Sequence, residues 1–272
     1  MDVPRHDEVT IDVAVFGGSG LYSLLDDARE VVVETPYGPP SAPVTVAEVE
    51  GCAVGFMPRH GVGHTIPPHR IDYRANLWAM KHLGATDVIL PCAVGSLRKD
   101  IVPGSFVLAD QLVDRTRGRI DTFHDGPEVT HVSFAEPYDA EMRGVALDAA
   151  RSLGIEVHGD GTLVVIQGPR FSSRAESRWF SAQGWDIVGM TQYPEAPLAR
   201  ELEMAALNIS LVTDFDAGLE DDPDVPAVTS ASVLEVFRAN TENLRRLLFA
   251  IIPALPRSPD RPALHALRDA HL

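Results

Sequence analysis

Residues 13–20 read Val13-Ala14-Val15-Phe16-Gly17-Gly18-Ser19-Gly20. Four apolar residues run straight into three glycines and a serine. The run is too short for a helix and is bounded by turn residues, so it reads as a strand buried on both faces. A strand that ends in a glycine-rich turn lets backbone N–H groups approach an anion closely. The glycines lack the full dinucleotide-binding spacing, and no clear acidic residue ends a second strand about 20 residues later. A single phosphate, or a purely structural tight turn, fits this stretch better.

The pattern repeats outward from there. Strands are expected at Ile11–Phe16, Val31–Glu34, Val44–Val49, Ala53–Met57, Asp87–Leu90, Ser105–Ala109, Thr162–Ile166, Asp186–Gly189 and Leu207–Thr213. Helical spacing is expected at Tyr73–Leu83, Asp139–Leu153, Ser173–Gln183, Pro194–Glu203 and Ser230–Ile252. Met142, Val145, Ala146, Ala149 and Leu153 lie on one helical face, and Gly154 follows as a C-cap. Strands alternating with helices define an α/β fold, here a single domain with a central twisted mixed sheet flanked by helices on both sides. The domain is expected over residues 1–253, with 254–272 as a loosely held Pro-rich C-terminal tail. In such sheets ligands bind beyond the carboxyl ends of the strands.

Composition narrows the function. The chain has 272 residues, is 45% hydrophobic and carries a formal net charge of −16. That length buries a sizeable core. That charge argues against nucleic acid or an anionic membrane as partner. Cys52 and Cys92 are too few for a disulfide framework or a cysteine-built structural zinc site. The polar N-terminal stretch and the lack of a long apolar run lead to the expectation of a cytoplasmic protein.

Four further stretches could carry chemistry. Arg59-His60-Gly61-Val62-Gly63-His64-Thr65 follows a strand; Arg59 could clamp phosphate in bidentate fashion and the glycines allow close backbone approach. The bland alternative is a solvated loop. Its glycines argue against a helical zinc motif, and no metal is expected. Pro91-Cys92-Ala93-Val94-Gly95-Ser96 offers small residues where a flat ligand could lie, or simply a strand-to-helix turn. In Gly168-Pro169-Arg170-Phe171-Ser172-Ser173, Phe171 is a candidate stacking surface, and the serines could do no more than cap the next helix. Finally, Asp214 and Asp216 end an apolar run at i and i+2. Two carboxylates so close repel, one pKa rises, and a carboxyl kept protonated can hand a proton to a leaving group. A polar loop entry is the alternative.

Taken together, GGSGLY, TPYGPPS, RHGVGHT, YRANLWAMK, GSLR, GPRFSSRAES, GMTQYPEAPLAR and TDFD occur in an order that resembles the 5'-methylthioadenosine phosphorylases, within the trimeric purine nucleoside phosphorylase family. The resemblance covers roughly residues 11 to 253. It implies reversible phosphorolysis of 5'-methylthioadenosine to adenine and 5-methylthioribose 1-phosphate. No cofactor is implied, inorganic phosphate being a co-substrate. Carried over motif by motif, Ser19, Arg59, His60, Ala93 and Thr191 would hold phosphate, and His60 and Asp214 would be catalytic. Phe171, Asp214 and Asp216 would hold the purine. Met190, His64, Val233 and Leu234 would face the ribose and 5' group, with His131 from a neighbouring chain. A homotrimer, or a dimer of trimers, with the site at the subunit interface is therefore implied. Relatives that prefer 6-oxopurines usually carry Asn at the first acidic position, so the Asp pair points to a 6-aminopurine. The same chemistry on 5'-methylthioinosine, inosine, guanosine or a 5'-halo-5'-deoxyadenosine is the alternative, followed by a non-catalytic nucleotide-binding protein. Two departures stand out. Pro91 and Cys92 replace the family's frequent Thr or Asn pair, and Gln192-Tyr193 follows the Met-Thr pair where small or β-branched residues are usual, which could reshape the ribose or 5' pocket.

Overall fold

The computed structural model describes residues 9–17, 28–219 and 229–270. Ser19, Gly18 and Gly20 lie outside these residues. One eleven-stranded mixed sheet organises the chain. In chain order its strands are β1 (Val13–Phe16), β2 (Arg29–Val31), β3 (Val44–Val49), β4 (Cys52–Met57), β5 (Asp87–Ser96), β6 (Phe106–Val107), β7 (Gln111–Arg115), β8 (Val157–His158), β9 (Thr162–Ile166), β10 (Ile187–Gly189) and β11 (Ala205–Phe215). The α-helices are α1 (Tyr73–His82), α2 (Ala140–Ser152), α3 (Arg174–Ala182), α4 (Gln192–Glu201) and α5 (Ser230–Ile251).

The helices start where local chemistry dictates. The Asp72 and Asp139 carboxylates accept from the Ala75 and Met142 N–H groups at the heads of α1 and α2. Ser173 and Glu176 form a reciprocal capping box on α3. The serine nearest α3 therefore does take the simple capping role. Side-chain alternation along β5 and β11 splits the core in two. Leu90, Val94 and Val212 pack with Leu77, Met80 and Leu198 of α1 and α4. On the other face Ile89, Leu207, Ile209 and Leu211 pack with Met142 of α2 and Leu247 of α5.

The spine of the sheet is β5. On one edge β11 pairs with it in parallel from Asp87 to Ser96. The other edge must then carry both remaining partners. There β1 covers only Asp87–Ile89, and antiparallel β10 only Gly95–Ser96. Residues 90–94 are left without a strand on that edge, and Ala93 is exposed in the middle of a central strand. Sequence reading ended this strand at Leu90, because Pro91, Gly95 and Ser96 look like turn residues. In fact β5 continues through them and opens a cleft at its unpaired edge. The pairing of β11 contains a bulge: Val212 lies opposite Val94, but Asp214 lies opposite Gly95. The extra residue, Thr213, puts Asp214 on the Gly95 face instead of the Ser96 face.

Residues 255–270 do not form the loose tail expected from their prolines. Leu255, Arg261, Ala263 and Ala270 are buried. The Arg261 guanidinium lies 2.6 Å from Asp87 at the start of β5 and 3.9 Å from Asp139 at the head of α2. Leu267 donates its N–H to Glu203, and Ala270 accepts from the His131 N–H. A buried charge pair and backbone bonds hold the segment where composition alone suggested nothing would. No helix among the described residues is long and apolar enough to cross a membrane.

Candidate functional site

Four strand ends converge on the cleft. Gly17 donates its N–H to the Met57 carbonyl at 3.1 Å, so the end of β1 sits beside the end of β4. Arg59, two residues past β4, is buried. Its Nε and Nη2 donate to the two Glu195 oxygens at 2.6 and 3.0 Å, and its Nη1 donates to the Pro91 carbonyl at 2.6 Å. The bidentate fork expected for phosphate is thus filled by Glu195. Two of five N–H groups remain, one on each Nη. Burial alone would lower the Arg59 pKa, but Glu195 outweighs it and the guanidinium stays charged. Glu195 went unnoticed in the sequence because it reads as one more acidic residue in the first turn of a helix.

His60 follows. Its Nδ1 lies 2.9 Å from the Ile66 carbonyl, which can only accept, so Nδ1 carries the proton and Nε2 presents a lone pair. Burial, with Arg59 and His64 nearby, pushes its pKa down to about 4, and it is neutral at pH 7. His64 stacks on it with ring centroids 4.3 Å apart. Next along the cleft, antiparallel β10 delivers Met190 and Thr191 back toward Ala93. Thr191 is the N-cap of α4, is buried, and makes no side-chain capping bond, so its hydroxyl is not engaged by the helix. Cys92 does not join them. Its thiol is buried, meets the Ser210 hydroxyl at 3.3 Å and accepts from Asn208 at 3.5 Å, away from a phosphate role.

At the far end of the cleft sits the carboxylate pair. A Cβ on Gly95 would come 3.0 Å from Asp214 Oδ1 and 3.4 Å from Asp216 Cβ, so the carboxylate pair lies directly against this glycine and any side chain there would press on it. Burial, with help from Asp216, raises the Asp214 pKa to about 6, although the Thr213 hydroxyl at 2.8 Å opposes the shift. Asp216 is also pushed up by burial, while the Ser177 and Ser172 hydroxyls and the Ala217 N–H hold it back. Repulsion within the pair, read from the i, i+2 spacing, is real but secondary to burial. Phe171 is half-buried on the turn between β9 and α3. Gly168 in that turn packs against Met190: an added Cβ would sit 2.7 Å from its sulfur.

Val233 is half-buried and Leu234 exposed on the first turn of α5. His131 is exposed. The Tyr193 hydroxyl donates to Asp121 at 2.5 Å and its ring packs on the α1–α4 core. No group of three or more His, Cys, Asp or Glu among the described residues could hold a metal.

Along the open edge of β5, Arg59 reaches Pro91, the end of β10 approaches Ala93 and Asp214 lies against Gly95, so that a neutral imidazole, an uncapped hydroxyl, residual guanidinium N–H groups and a protonatable carboxyl follow one another along one strand. That arrangement suits transfer of a glycosyl group between a base and an anion. The chain belongs to the Phosphorylase superfamily, whose family model matches residues 12–253. It is 52% identical over 262 residues to a purine nucleoside phosphorylase of Streptomyces coelicolor, covering 93% of this chain and 92% of the relative. It is also 52% identical over 256 residues to an S-methyl-5'-thioadenosine phosphorylase of Mycolicibacterium smegmatis, covering 94% and 95%. Among solved structures, a methylthioadenosine phosphorylase from an Antarctic soil metagenomic library superposes with a TM-score of 0.91 at 38% identity, covering 97% of this chain and 93% of that one. The Schistosoma mansoni methylthioadenosine phosphorylase in complex with adenine gives 0.86 at 36% identity, covering 95% and 96%.

Proposed function

We propose that the chain catalyses reversible phosphorolysis of 5'-methylthioadenosine, giving adenine and 5-methylthioribose 1-phosphate. The observation that carries this reading is the Asp214–Asp216 pair at the Gly95 end of a cleft whose other end holds Arg59, His60 and Thr191. A phosphate oxygen attacks C1', the C1'–N9 bond breaks, and its electron pair leaves with the base. Asp214, held partly protonated, gives its proton to N7 of the departing purine. The proton brought in on the phosphate balances the one given to the base. Two carboxyl groups favour a 6-amino donor over a 6-oxo acceptor. Inorganic phosphate as co-substrate, no cofactor, and a homotrimer in which His131 of one chain completes the 5' pocket of the next all belong to this proposal. A cytoplasmic location does too.

One panel tests it. Methylthioadenosine, adenosine, methylthioinosine, inosine and a 5'-halo-5'-deoxyadenosine are incubated with and without phosphate and resolved by chromatography. Phosphate-dependent adenine release from methylthioadenosine, ahead of hypoxanthine release from its inosine analogue, is expected. Its absence refutes the proposal. The likeness to a relative named purine nucleoside phosphorylase makes preference for the inosine series the specific competing result.

A further inference from the structure

Arg119 lies four residues past the end of β7, in a loop whose sequence carries no periodic signal. Its guanidinium gathers four acceptors from four elements. Nη2 donates to the Gln167 carbonyl at 2.8 Å. Nη1 faces the Met190 carbonyl at 2.9 Å, the Tyr73 hydroxyl at 3.2 Å and the Tyr193 carbonyl. The group also lies over the Tyr73 ring, 5.5 Å from its centroid. Gln167 is the first residue beyond β9, and Met190 the first beyond neighbouring β10. Their carbonyls fall just past the paired part of the sheet. Tyr193 has φ −113° and ψ 127°, outside helical geometry, so its carbonyl is free of the regular α4 ladder.

We propose that Arg119 is a positioning residue that locks together the two strand ends carrying the nucleoside half of the site. Through Gln167 it holds the turn that leads to Phe171. Through Met190 and Tyr193 it holds the turn that contains Met190 and Thr191. The two turns are already in contact at Gly168 and Met190, and one planar cation fixes their spacing. The phosphate half has its own brace, Glu195 on Arg59, which reaches the spine at Pro91. Thr191, on the phosphate side of the same turn, is also anchored as the N-cap of α4, the helix whose Glu195 holds Arg59, so the phosphate half keeps a second support when Arg119 is lost. Lysine cannot replace Arg119, because one ammonium on a flexible stem cannot meet carbonyls spread around a planar fork.

This inference rests on the proposed phosphorolysis, and the test separates the two. Steady-state KM for methylthioadenosine and for phosphate is measured for wild type, Arg119→Ala and Arg119→Lys, with melting temperatures alongside. Absence of wild-type turnover refutes the function, not the brace. With wild type active, both variants should raise the nucleoside KM by about tenfold to a hundredfold, since small misplacement of contact groups is costly. The phosphate KM should change far less. Methylguanidinium at low millimolar concentration should recover part of the loss in Arg119→Ala, and methylammonium should not. If the alanine variant does not fold, Arg119→Lys carries the KM comparison. Equal changes in both KM values, or a lowered melting temperature with both unchanged, overturns the proposal.

Discussion

Replacing Asp214 by Asn tests the chemistry most directly. In the folded chain the Asp214 pKa is raised from 3.8 to about 6, chiefly by burial. That rise corresponds to about 3 kcal/mol in favour of the neutral form. At pH 7 roughly one molecule in ten then holds the proton, and below pH 6 most do. Asn keeps the shape but carries no transferable proton. The lost interaction is a hydrogen bond to a group developing charge, worth about 1.5–3 kcal/mol, or roughly 10- to 150-fold in kcat/KM for the adenine nucleoside. The sign of the pH dependence follows. In the proposed mechanism protonated Asp214 is the active form, so its advantage over Asn is full well below pH 6 and fades as pH rises through that value. The assay is kcat/KM for methylthioadenosine and methylthioinosine, wild type against Asp214→Asn, from about pH 5.5 to about pH 8. Ionisation of phosphate affects both enzymes alike and cancels in the ratio. The variant should also move its preference toward the 6-oxopurine, because an amide can donate to the carbonyl. Removing the neighbouring charge with Asp216→Asn should shift the break to lower pH, since Asp216 helps to raise Asp214. A wild-type to Asp214→Asn ratio independent of pH, together with unchanged base preference, would refute the reasoning.

Three further outcomes are expected. Glu195→Gln leaves the Arg59 guanidinium buried beside a neutral amide; unfolding in urea should show a loss of about 3 kcal/mol, and phosphate KM should rise more than nucleoside KM. Thr191→Val should leave stability within about 0.5 kcal/mol, unlike most N-cap replacements, because the hydroxyl makes no cap bond; its phosphate KM should rise roughly tenfold. Arg261→Ala strips Asp87 of its cation. Burial already raises the Asp87 pKa, and without Arg261 it rises further, so the carboxylate costs stability above that pKa and less as it takes up a proton. The deficit should therefore be about 3 kcal/mol near pH 7 and smaller near pH 5, measured by urea unfolding at both.

The order of strands and helices was legible because buried runs, caps and glycine turns leave local traces. Asp139, Ser173 and Gly154 mark helix ends that the structure keeps. The gaps have a common physical cause: long-range partners leave no local pattern. Glu195 meets Arg59 from 136 residues away. Arg119 gathers carbonyls from segments 48 and 71 residues distant. The strand β7 was missed because its side chains are only half-buried and do not alternate cleanly. The bulge at Thr213 cannot be seen in TDFD, since a bulge exists only relative to a partner strand. Of the expected site, Arg59 and His60 stand out in the sequence because a Gly-rich stretch follows a strand, whereas Thr191 is singled out only by the family resemblance, and Ala93 lies inside β5 rather than in a turn after it. The role of the prolines after Ala254 was not readable, because the buried Arg261 pair decides it.

The bulge in β11 also bears on how this fold can change over generations. Every core side chain of the strand lies before it, up to Val212, and Asp214 lies after it. Thr213 behaves as an insertion whose removal would return the strand to regular pairing with Asp214 still opposite Gly95. A gain or loss of one codon at this place is therefore a small evolutionary step. It can add or retire a hydroxyl beside the carboxylate, or bring a different side chain next to Gly95, while the hydrophobic interior inherits no cost.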